Sequence, residues 1–471
     1  LMIAKNLDNI NLEEFPVVIF GSGPAGLTTA LELEKKKIKC LVIEAGEEEY
    51  SQNSQQLYKG KIIGDNLSDL SISRLRQLGG TSGHWGGQSK LMEPYDFNLW
   101  PIKAEELNIY ANKACDIIDI KNIFRKSSLN NYFDQIEFQN STVRFAEKYK
   151  KHIKDSKNIY LVLNTQLSHF EGKNKLVDEA VCIFKNSTKK IKAKYFVLAC
   201  GGIENSRILL WTREKSKKLV NENLPIGKYW MTHPWILGGI GVINKQKIVK
   251  KLNNEFINYD GPLHFASKKQ LLDEKKILSA EIYMTAKEDE KLYKEIIKDI
   301  LCVAPEYGKK ISRKLFKKDL KCGNIFMSLE EPSNPNNRVV LDLIEKDQFG
   351  IPKINLFYKI SKLTVNTAKI FLEEFSSLCR KDDLGRIAIK DNIYNLEGYE
   401  NLGSFHHLGG TRMGIDKFDS VINKDLKVHG INNLYVSGSS NFVTGGYTNP
   451  TLTIIQFAIR LAENLNAKLL A

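Results

Sequence analysis

The sequence contains no apolar run of about 20 residues, the length that a helix needs to cross a bilayer. Its first residues, 1–6, are too few and too polar for a secretory signal. It has no internal repeat, and its seven cysteines are scattered without a CxxC pair, which argues against a disulfide framework or a metal site. These absences predict a cytoplasmic chain with reduced thiols and no membrane span.

Charge of one sign is in excess, since 69 Lys and Arg stand against 55 Asp and Glu, a formal net charge of +14. Such an excess is typical of proteins that bind nucleic acid or a membrane surface. The lysines are spread along the chain, however, and many stand beside acidic residues, as in 32–37. We therefore expect a solvated basic surface and no nucleic-acid partner, with a basic binding protein as an alternative.

The length of 471 residues exceeds what one hydrophobic core usually serves, so more than one domain is expected. Between about 235 and 390 glycine becomes rare and short alternating runs appear at 277–284, 339–344 and 354–358. These runs predict strands of an antiparallel sheet with one solvated face. The lysine-rich stretch 287–318 is expected to be mostly helical and exposed.

A dinucleotide fingerprint stands near the start of the chain. The apolar run 16–20 leads into a GxGxxG turn at 21–26, and a second buried run, 40–43, ends at Glu44. The first glycine allows the tight turn, the second admits a pyrophosphate, and the third lets helix and strand pack closely. Glu44 is placed to accept hydrogen bonds from a ribose, although the motif does not separate FAD from NAD. The cofactor-binding residues predicted here are Gly21, Gly23, Pro24, Ala25, Gly26, Glu44 and Ala45.

The C-terminal part carries a more specific pattern. Residues 404–414, SFHHLGGTRMG, resemble the HxxGTxRMG signature of the glucose–methanol–choline (GMC) oxidoreductases, and 444–453 resemble that family's NPTLT segment. Residues 79–85 resemble its flavin-covering loop and 227–234 its GxxxMxHP element. The branch that these stretches resemble contains pyranose oxidases and related sugar dehydrogenases.

The resemblance implies an α/β fold: a Rossmann-type FAD-binding domain of the GMC and p-hydroxybenzoate hydroxylase-like type, with an inserted α+β substrate domain built on an antiparallel sheet. The expected boundaries are 1–110 and 161–234 for two parts of the FAD-binding domain, 111–160 for a connecting or lid segment, 235–395 for the substrate-binding domain, and 396–471 for the FAD-binding and catalytic C-terminal part.

The implied activity is oxidation of a CH–OH group of a sugar, cyclitol or glycoside with FAD as cofactor. Oxidase and dehydrogenase chemistry both stay open, so the electron acceptor is oxygen, a quinone or a redox partner. A non-redox lyase of the same fold that retains FAD for structure is an alternative.

In this family a histidine of the HxxGT segment takes the hydroxyl proton while hydride passes to flavin N5, a task that suits imidazole. Alignment on the RMG residues places this histidine at His406, whereas alignment on HLGGT places it at His407; we favour His406. The partner position maps to Asn449. Asn449 also has the pattern of a helix N-cap, with Pro450 at the first helical position.

His84 lies in a stretch where pyranose oxidases carry a histidine joined covalently to the flavin. Because Gly86 follows Trp85 where those enzymes have threonine, a non-covalent contact is favoured and a covalent link stays open. The further cofactor-binding residues that the resemblance implies are Gly80, Thr81, Ser82, Trp85, Ala199, Gly201, Gly438, Asn441, Asn449, Pro450 and Thr451.

Overall fold

A computed structural model of the chain describes residues 3–5, 7, 10–185, 187–252, 262–286, 320–394 and 405–471. The stretch 287–318, expected to be helical, lies outside these residues. Among the described helices, none combines the length and the apolar character needed to cross a bilayer.

The strands of the described residues are numbered in chain order. They are β1 Ile3–Ala4, β2 Val17–Phe20, β3 Cys40–Ile43, β4 Lys61–Gly64, β5 Gln88–Ser89, β6 Lys126–Ser128, β7 Phe133–Ile136, β8 Gln139–Asn140, β9 Ile159–Val162, β10 Gln166–Lys173, β11 Leu176–Phe184, β12 Ser187–Ile191, β13 Tyr195–Leu198, β14 Trp235–Asn244, β15 Leu263–Ser267, β16 Ala280–Ala286, β17 Leu320–Leu329, β18 Arg338–Lys346, β19 Pro352–Tyr358, β20 Gly385–Ile389 and β21 Leu434–Val436.

The α-helices are numbered in the same way. They are α1 Pro24–Lys35, α2 Gln52–Gln55, α3 Ala104–Asn108, α4 Ala111–Ile117, α5 Phe145–Asp155, α6 Gly201–Lys215, α7 Lys245–Lys251, α8 Lys269–Lys275, α9 Lys362–Lys381 and α10 Thr451–Leu470. Short 3-10 turns occur at Leu12–Glu14, Gln56–Tyr58, Gly80–Gly83, Pro94–Phe97, Asp391–Ile393 and Ser439–Asn441.

A six-stranded parallel sheet has the order β1-β9-β3-β2-β13-β21. Every residue of β2, β3 and β21 is buried, as expected of strands covered on both faces. Since all strands run the same way, their carboxyl ends meet at one edge, where ligands bind in folds of this kind. This sheet draws its strands from the beginning, middle and end of the chain.

A seven-stranded antiparallel sheet has the order β20-β14-β17-β16-β15-β7-β6. One face packs on α9, where the Phe133 ring meets the rings of Phe371 and Phe375 at centroid distances of 5.0 and 5.2 Å. These rings belong to a second hydrophobic core, separate from the one around the parallel sheet. The α/β fold class and the expected antiparallel sheet are thereby confirmed, whereas the role of this sheet in binding substrate remains a prediction.

The strands in the middle of the chain belong to two separate sheets, whereas the sequence predicted a single antiparallel sheet. The run 277–284 corresponds to β16 of the seven-stranded sheet, whereas 339–344 and 354–358 correspond to β18 and β19 of a separate three-stranded sheet with β4. Strands β6 and β7 come from the segment expected to connect domains, yet they extend the seven-stranded sheet. The exact domain boundaries remain a prediction.

The turn between β2 and α1 leaves no room for a side chain at Gly26. A Cβ there would lie 1.9 Å from the Gly21 carbonyl oxygen, so Gly26→Ala must push α1 away from β2. We expect the free energy of unfolding of the FAD-free protein to fall by about 3 kcal/mol. Urea denaturation followed by circular dichroism measures this, with Gly86→Ala as the control because a Cβ at Gly86 meets no atom within 4 Å. Equal stability of both variants would contradict the expectation.

Candidate active site

A cavity of about 480 Å³ lies at the carboxyl edge of the parallel sheet, a size within the usual range of ligand sites. Its walls include the residues that follow β2, β3 and β13. The predicted site residues that line it are Gly21, Gly23, Pro24, Ala25, Glu44, Ala45, Gly80, Thr81, Ser82, His84, Trp85, Ala199, Gly201, His406, His407, Gly438, Asn449, Pro450 and Thr451.

Two predicted cofactor-binding residues are not part of the cavity wall. Gly26 lies behind the turn, at the close contact between α1 and β2. Asn441 is fully buried, and its amide donates to the Val436 carbonyl at 2.7 Å while its oxygen accepts from the Thr411 hydroxyl at 3.3 Å. Their contact with a cofactor remains a prediction that the cavity geometry does not support.

Three helices begin at the wall of the cavity. Gly23 precedes α1, Gly201 opens α6 and Thr451 opens α10, and all three residues line the cavity. The first N–H groups of a helix lack intrahelical partners and carry partial positive charge. Three such ends around one space favour an anionic ligand such as a diphosphate.

Glu44 holds the glycine turn in addition to lining the cavity. One carboxylate oxygen accepts from the Ser22 backbone N–H at 2.9 Å and from the Ser22 hydroxyl at 2.7 Å. The other accepts from the Gly46 N–H at 2.7 Å. Because a carboxylate has about four acceptor positions, the expected contact with a ribose hydroxyl remains compatible with these bonds.

The loop expected to cover the flavin is anchored through its small and aromatic residues. Ser82 donates to the Gly79 carbonyl and accepts from the Phe145 N–H, and the Trp85 indole donates to the Val143 carbonyl at 2.8 Å. His84 is exposed overall and lines the cavity, while partial desolvation of its ring and then the Arg144 charge lower its pKa. A covalent link to His84 remains undetermined.

The position of His406 follows from a backbone pairing. Met231 and Leu408 pair in antiparallel fashion through two hydrogen bonds of 2.9 and 3.0 Å. Two residues further along in opposite directions, His233 and His406 come opposite each other, with Nδ1 to Nδ1 at 2.9 Å. His233 Nε2 lies 3.1 Å from the Gly445 carbonyl oxygen.

Burial keeps these imidazoles uncharged. It lowers the pKa of His406 to about 3, with a further contribution from His233, and it lowers the pKa of His233 to about 4. At neutral pH both rings are therefore neutral, and each carries one ring proton.

His407 points to a different part of the same cavity. Its Nε2 lies 2.9 Å from the Ser73 hydroxyl, and its Nδ1 is buried without a hydrogen-bond partner among the described residues. Burial and then the Arg74 charge hold its pKa well below the usual range. Both predicted histidines thus line the cavity, and the geometry gives them different partners.

Asn449 is not the N-cap that the sequence suggested. Helix α10 begins at Thr451, so Pro450 occupies the N-cap, and the Ile454 N–H bonds to the Pro450 carbonyl at 2.9 Å. The Asn449 amide instead donates to the Gln88 carbonyl at 2.8 Å. This bond fixes the side chain at the cavity wall and leaves its Oδ1 as an acceptor.

Sequence reasoning missed two buried arginines in the cavity wall. Arg74 pairs with Glu204 at 3.0 Å. Arg76 is 4% exposed and donates to two neutral acceptors, Ser54 Oγ at 2.6 Å and Gln166 Oε1 at 2.8 Å. Within the described residues Arg76 forms no ion pair with a carboxylate. The sequence signal available for these arginines was their spacing, two residues apart and just before Gly79 and Gly80. The many other basic residues of the chain hid this signal.

The residues present fit FAD. The wall combines three helix N-termini with the Arg76 guanidinium, which has no ion-pair partner in the part of the chain that the structure describes. It also contains Gly23 and Gly201, where an added Cβ would enter open space. The glycine turn, the start of α6 and Arg76 are the groups that would hold the diphosphate and adenosine parts. Among the described residues no cluster of three or more His, Cys, Asp or Glu side chains could hold a metal ion.

Comparison with known proteins supports FAD as the cofactor. A family model described as GMC oxidoreductase matches residues 333–458, and one described as FAD binding domain matches residues 16–56. The family resemblance and the expectation of FAD are thereby confirmed.

Individual relatives are more distant. The fructose dehydrogenase large subunit of Gluconobacter japonicus is 23% identical over 305 residues, 62% of this chain and 51% of that protein. The 2-methyl-1,2-propanediol dehydrogenase of Mycolicibacterium austroafricanum is 28% identical over 285 residues, 59% of this chain and 49% of that protein. The alignments therefore span about half the length of these curated relatives.

The crystal structure of pyridoxine 4-oxidase from Mesorbium loti has the same fold, with a TM-score of 0.60 and 13% identity over 96% of this chain and 99% of that chain. At this identity the likeness concerns the fold alone.

Removing the Arg76 charge tests its part in cofactor binding. We expect Arg76→Gln to weaken FAD binding about tenfold or more, because a charge-assisted bond to a buried anion contributes about 1.5–3 kcal/mol. The FAD-free variant should be at least as stable as the wild type, since the variant removes a buried cation that forms no ion pair with a carboxylate of the described residues. Fluorescence titration of FAD and thermal unfolding measure the two effects, with the exposed Arg386→Gln as control. Unchanged FAD affinity would contradict the assignment.

Proposed function

We propose that this chain, which resembles the GMC oxidoreductases and matches a model of an FAD-binding domain, oxidises the CH–OH group of a sugar, cyclitol or glycoside. The observation that carries the proposal is that the glycine turn and the residues His406, His407 and Asn449 line one cavity. A cofactor held by the turn therefore shares its space with two uncharged imidazoles. The names of two relatives, a fructose dehydrogenase subunit and a diol dehydrogenase, support an alcohol substrate.

When bound, FAD supplies the hydride acceptor. His406 accepts the hydroxyl proton at a ring nitrogen as the C–O bond of the substrate becomes a carbonyl, so that one hydride and one proton leave the CH–OH group. Since the His406 ring is neutral at neutral pH, it has a lone pair for this proton. The reaction needs no metal ligand from the chain.

Asn449 and α10 act on orientation and charge. The Asn449 Oδ1, held in place through the bond to Gln88, accepts a hydrogen bond from a substrate hydroxyl. The N-terminus of α10 presents unpaired N–H groups to the cavity and stabilises negative charge there. The electron acceptor of the bound cofactor would be oxygen, a quinone or a redox partner.

The direct test is the absorbance of the flavin in purified protein kept anaerobic, before and after sugars, cyclitols, glycosides and simple alcohols are added. Bleaching by one compound identifies a substrate class, and readmission of oxygen or addition of a quinone then identifies the acceptor. A bound flavin that no compound reduces would favour the non-redox lyase. Failure to bind FAD at all would overturn the proposal.

The two histidines are separated by replacing each with asparagine. We expect His406→Asn to slow flavin reduction by on the order of 10²- to 10⁴-fold, the usual contribution of a general base, and His407→Asn to slow it less than about tenfold. Rapid-mixing absorbance measures both rates. The reverse order would assign the base to His407.

The pH dependence carries a separate expectation. Because burial lowers the pKa of His406 to about 3, its proton-accepting form persists as the pH falls through 6.5, the ordinary histidine value. The rate of flavin reduction in the wild type should therefore be flat from about pH 8 to about pH 5. An acidic limb centred near 6.5 would show that the base is a solvated histidine.

A further inference from the structure

His233 is a buried histidine of the GxxxMxHP segment, only 3% exposed, for which the reaction described above requires no role. Its two ring nitrogens both lie at hydrogen-bond distance from a partner, His406 Nδ1 at 2.9 Å and the Gly445 carbonyl oxygen at 3.1 Å. The two imidazoles stand nearly perpendicular, at 87°. His233 therefore joins the proposed base to the loop that leads to Asn449.

The direction of each hydrogen bond follows from the chemistry of the groups. A carbonyl oxygen only accepts, so the hydrogen of this contact is on His233 Nε2. A neutral imidazole has one ring hydrogen, which leaves His233 Nδ1 with a lone pair. That lone pair accepts a hydrogen bond from His406 Nδ1–H. The single ring hydrogen of the neutral His406 is therefore on Nδ1. His406 Nε2 is then the unprotonated nitrogen.

We propose that His233 is a positioning residue that holds His406 in the Nδ1–H tautomer and presents the Nε2 lone pair to the cavity. The catalytic meaning of this inference rests on the proposed function, whereas the tautomer itself does not. A histidine in water favours the opposite tautomer, with the hydrogen on Nε2, which could not accept a proton there. The carbonyl of Gly445 thus sets the protonation pattern of a ring that it does not touch.

The close fit of the loop supports this arrangement. A Cβ at Gly445 would lie 2.9 Å from His233 Nε2 and 3.3 Å from its Cδ2. The His233 ring is therefore packed directly against the loop backbone. The paired backbone hydrogen bonds of Met231 and Leu408 fix the two segments that carry His233 and His406. Gly445→Ala must move the ring without altering either histidine.

Three replacements of His233 separate positioning from packing. Asparagine places its Oδ1 near the position of Nδ1 and can accept from His406. Glutamine reaches the position of Nε2 and can donate to Gly445, and phenylalanine keeps only the ring shape. We expect His233→Asn to retain kcat within about threefold, and His233→Gln, His233→Phe and Gly445→Ala to lower it about 100-fold, with FAD content and KM little changed.

A readout independent of activity is the histidine ring-nitrogen NMR spectrum of ¹⁵N-histidine-labelled, FAD-loaded protein, with His406 assigned by its loss in His406→Gln. Wild type and His233→Asn should show His406 with hydrogen on Nδ1, and His233→Phe should show hydrogen on Nε2 or an exchanging mixture. A wild-type His406 with hydrogen on Nε2 overturns the inference, as does higher activity in His233→Gln than in His233→Asn.

The outcomes also separate this inference from the proposed function. If no alcohol reduces the flavin but the wild-type tautomer is as described, the function fails and the positioning stands. If His233→Phe does not fold, the wild-type spectrum together with His233→Gln and Gly445→Ala still decides the question.

Discussion

The unpaired N–H groups of three helices meet at the wall of one cavity, and the arrangement of the site depends on this convergence. Helices α1, α6 and α10 start at positions far apart in the chain, and the parallel sheet brings their starts together because β2 and β13 are neighbours and β21 follows β13. Like partial charges gathered in a low-dielectric space are unfavourable until an anion neutralises them. The positive potential at the cavity wall therefore favours a cofactor with a diphosphate, and the Arg76 charge strengthens this potential.

Much of this site could be predicted because its signals are local. The turn at 21–26 specifies its own geometry: Gly21 has a φ of +102°, and a Cβ at Gly26 would collide with the Gly21 carbonyl. Strand pairing could not be predicted in the same way. Strand β4 joins β19 from nearly 300 positions away, and its four residues are mostly exposed and show no alternation. Pairing of that kind depends on the surfaces available after the larger sheets have formed.

Individual roles were hardest to predict where two distant residues define them together. His233 stood in a recognised segment, but its partner is 173 positions away, and only the pairing of Met231 with Leu408 brings the rings together. Arg76 was one of 69 basic residues, and its burial distinguishes it from a surface lysine only in the folded chain. The Asn449 interpretation was wrong by one residue, since Pro450 occupies the N-cap and frees the Asn449 amide to bond elsewhere.

The loop that supports His233 is itself held by the carboxyl group of the buried Glu330 and by the backbone carbonyl of the buried Asp96. The Gly446 N–H donates to Glu330 at 3.2 Å, and Thr444 donates to the Asp96 carbonyl at 2.6 Å. Burial raises the pKa of both carboxyl groups, that of Asp96 further because Glu330 is near, so these two acids cannot both be ionised easily. Burial thus lowers the pKa values of the two imidazoles and raises those of the two carboxyl groups, and the lowered pKa leaves His406 a lone pair at neutral pH.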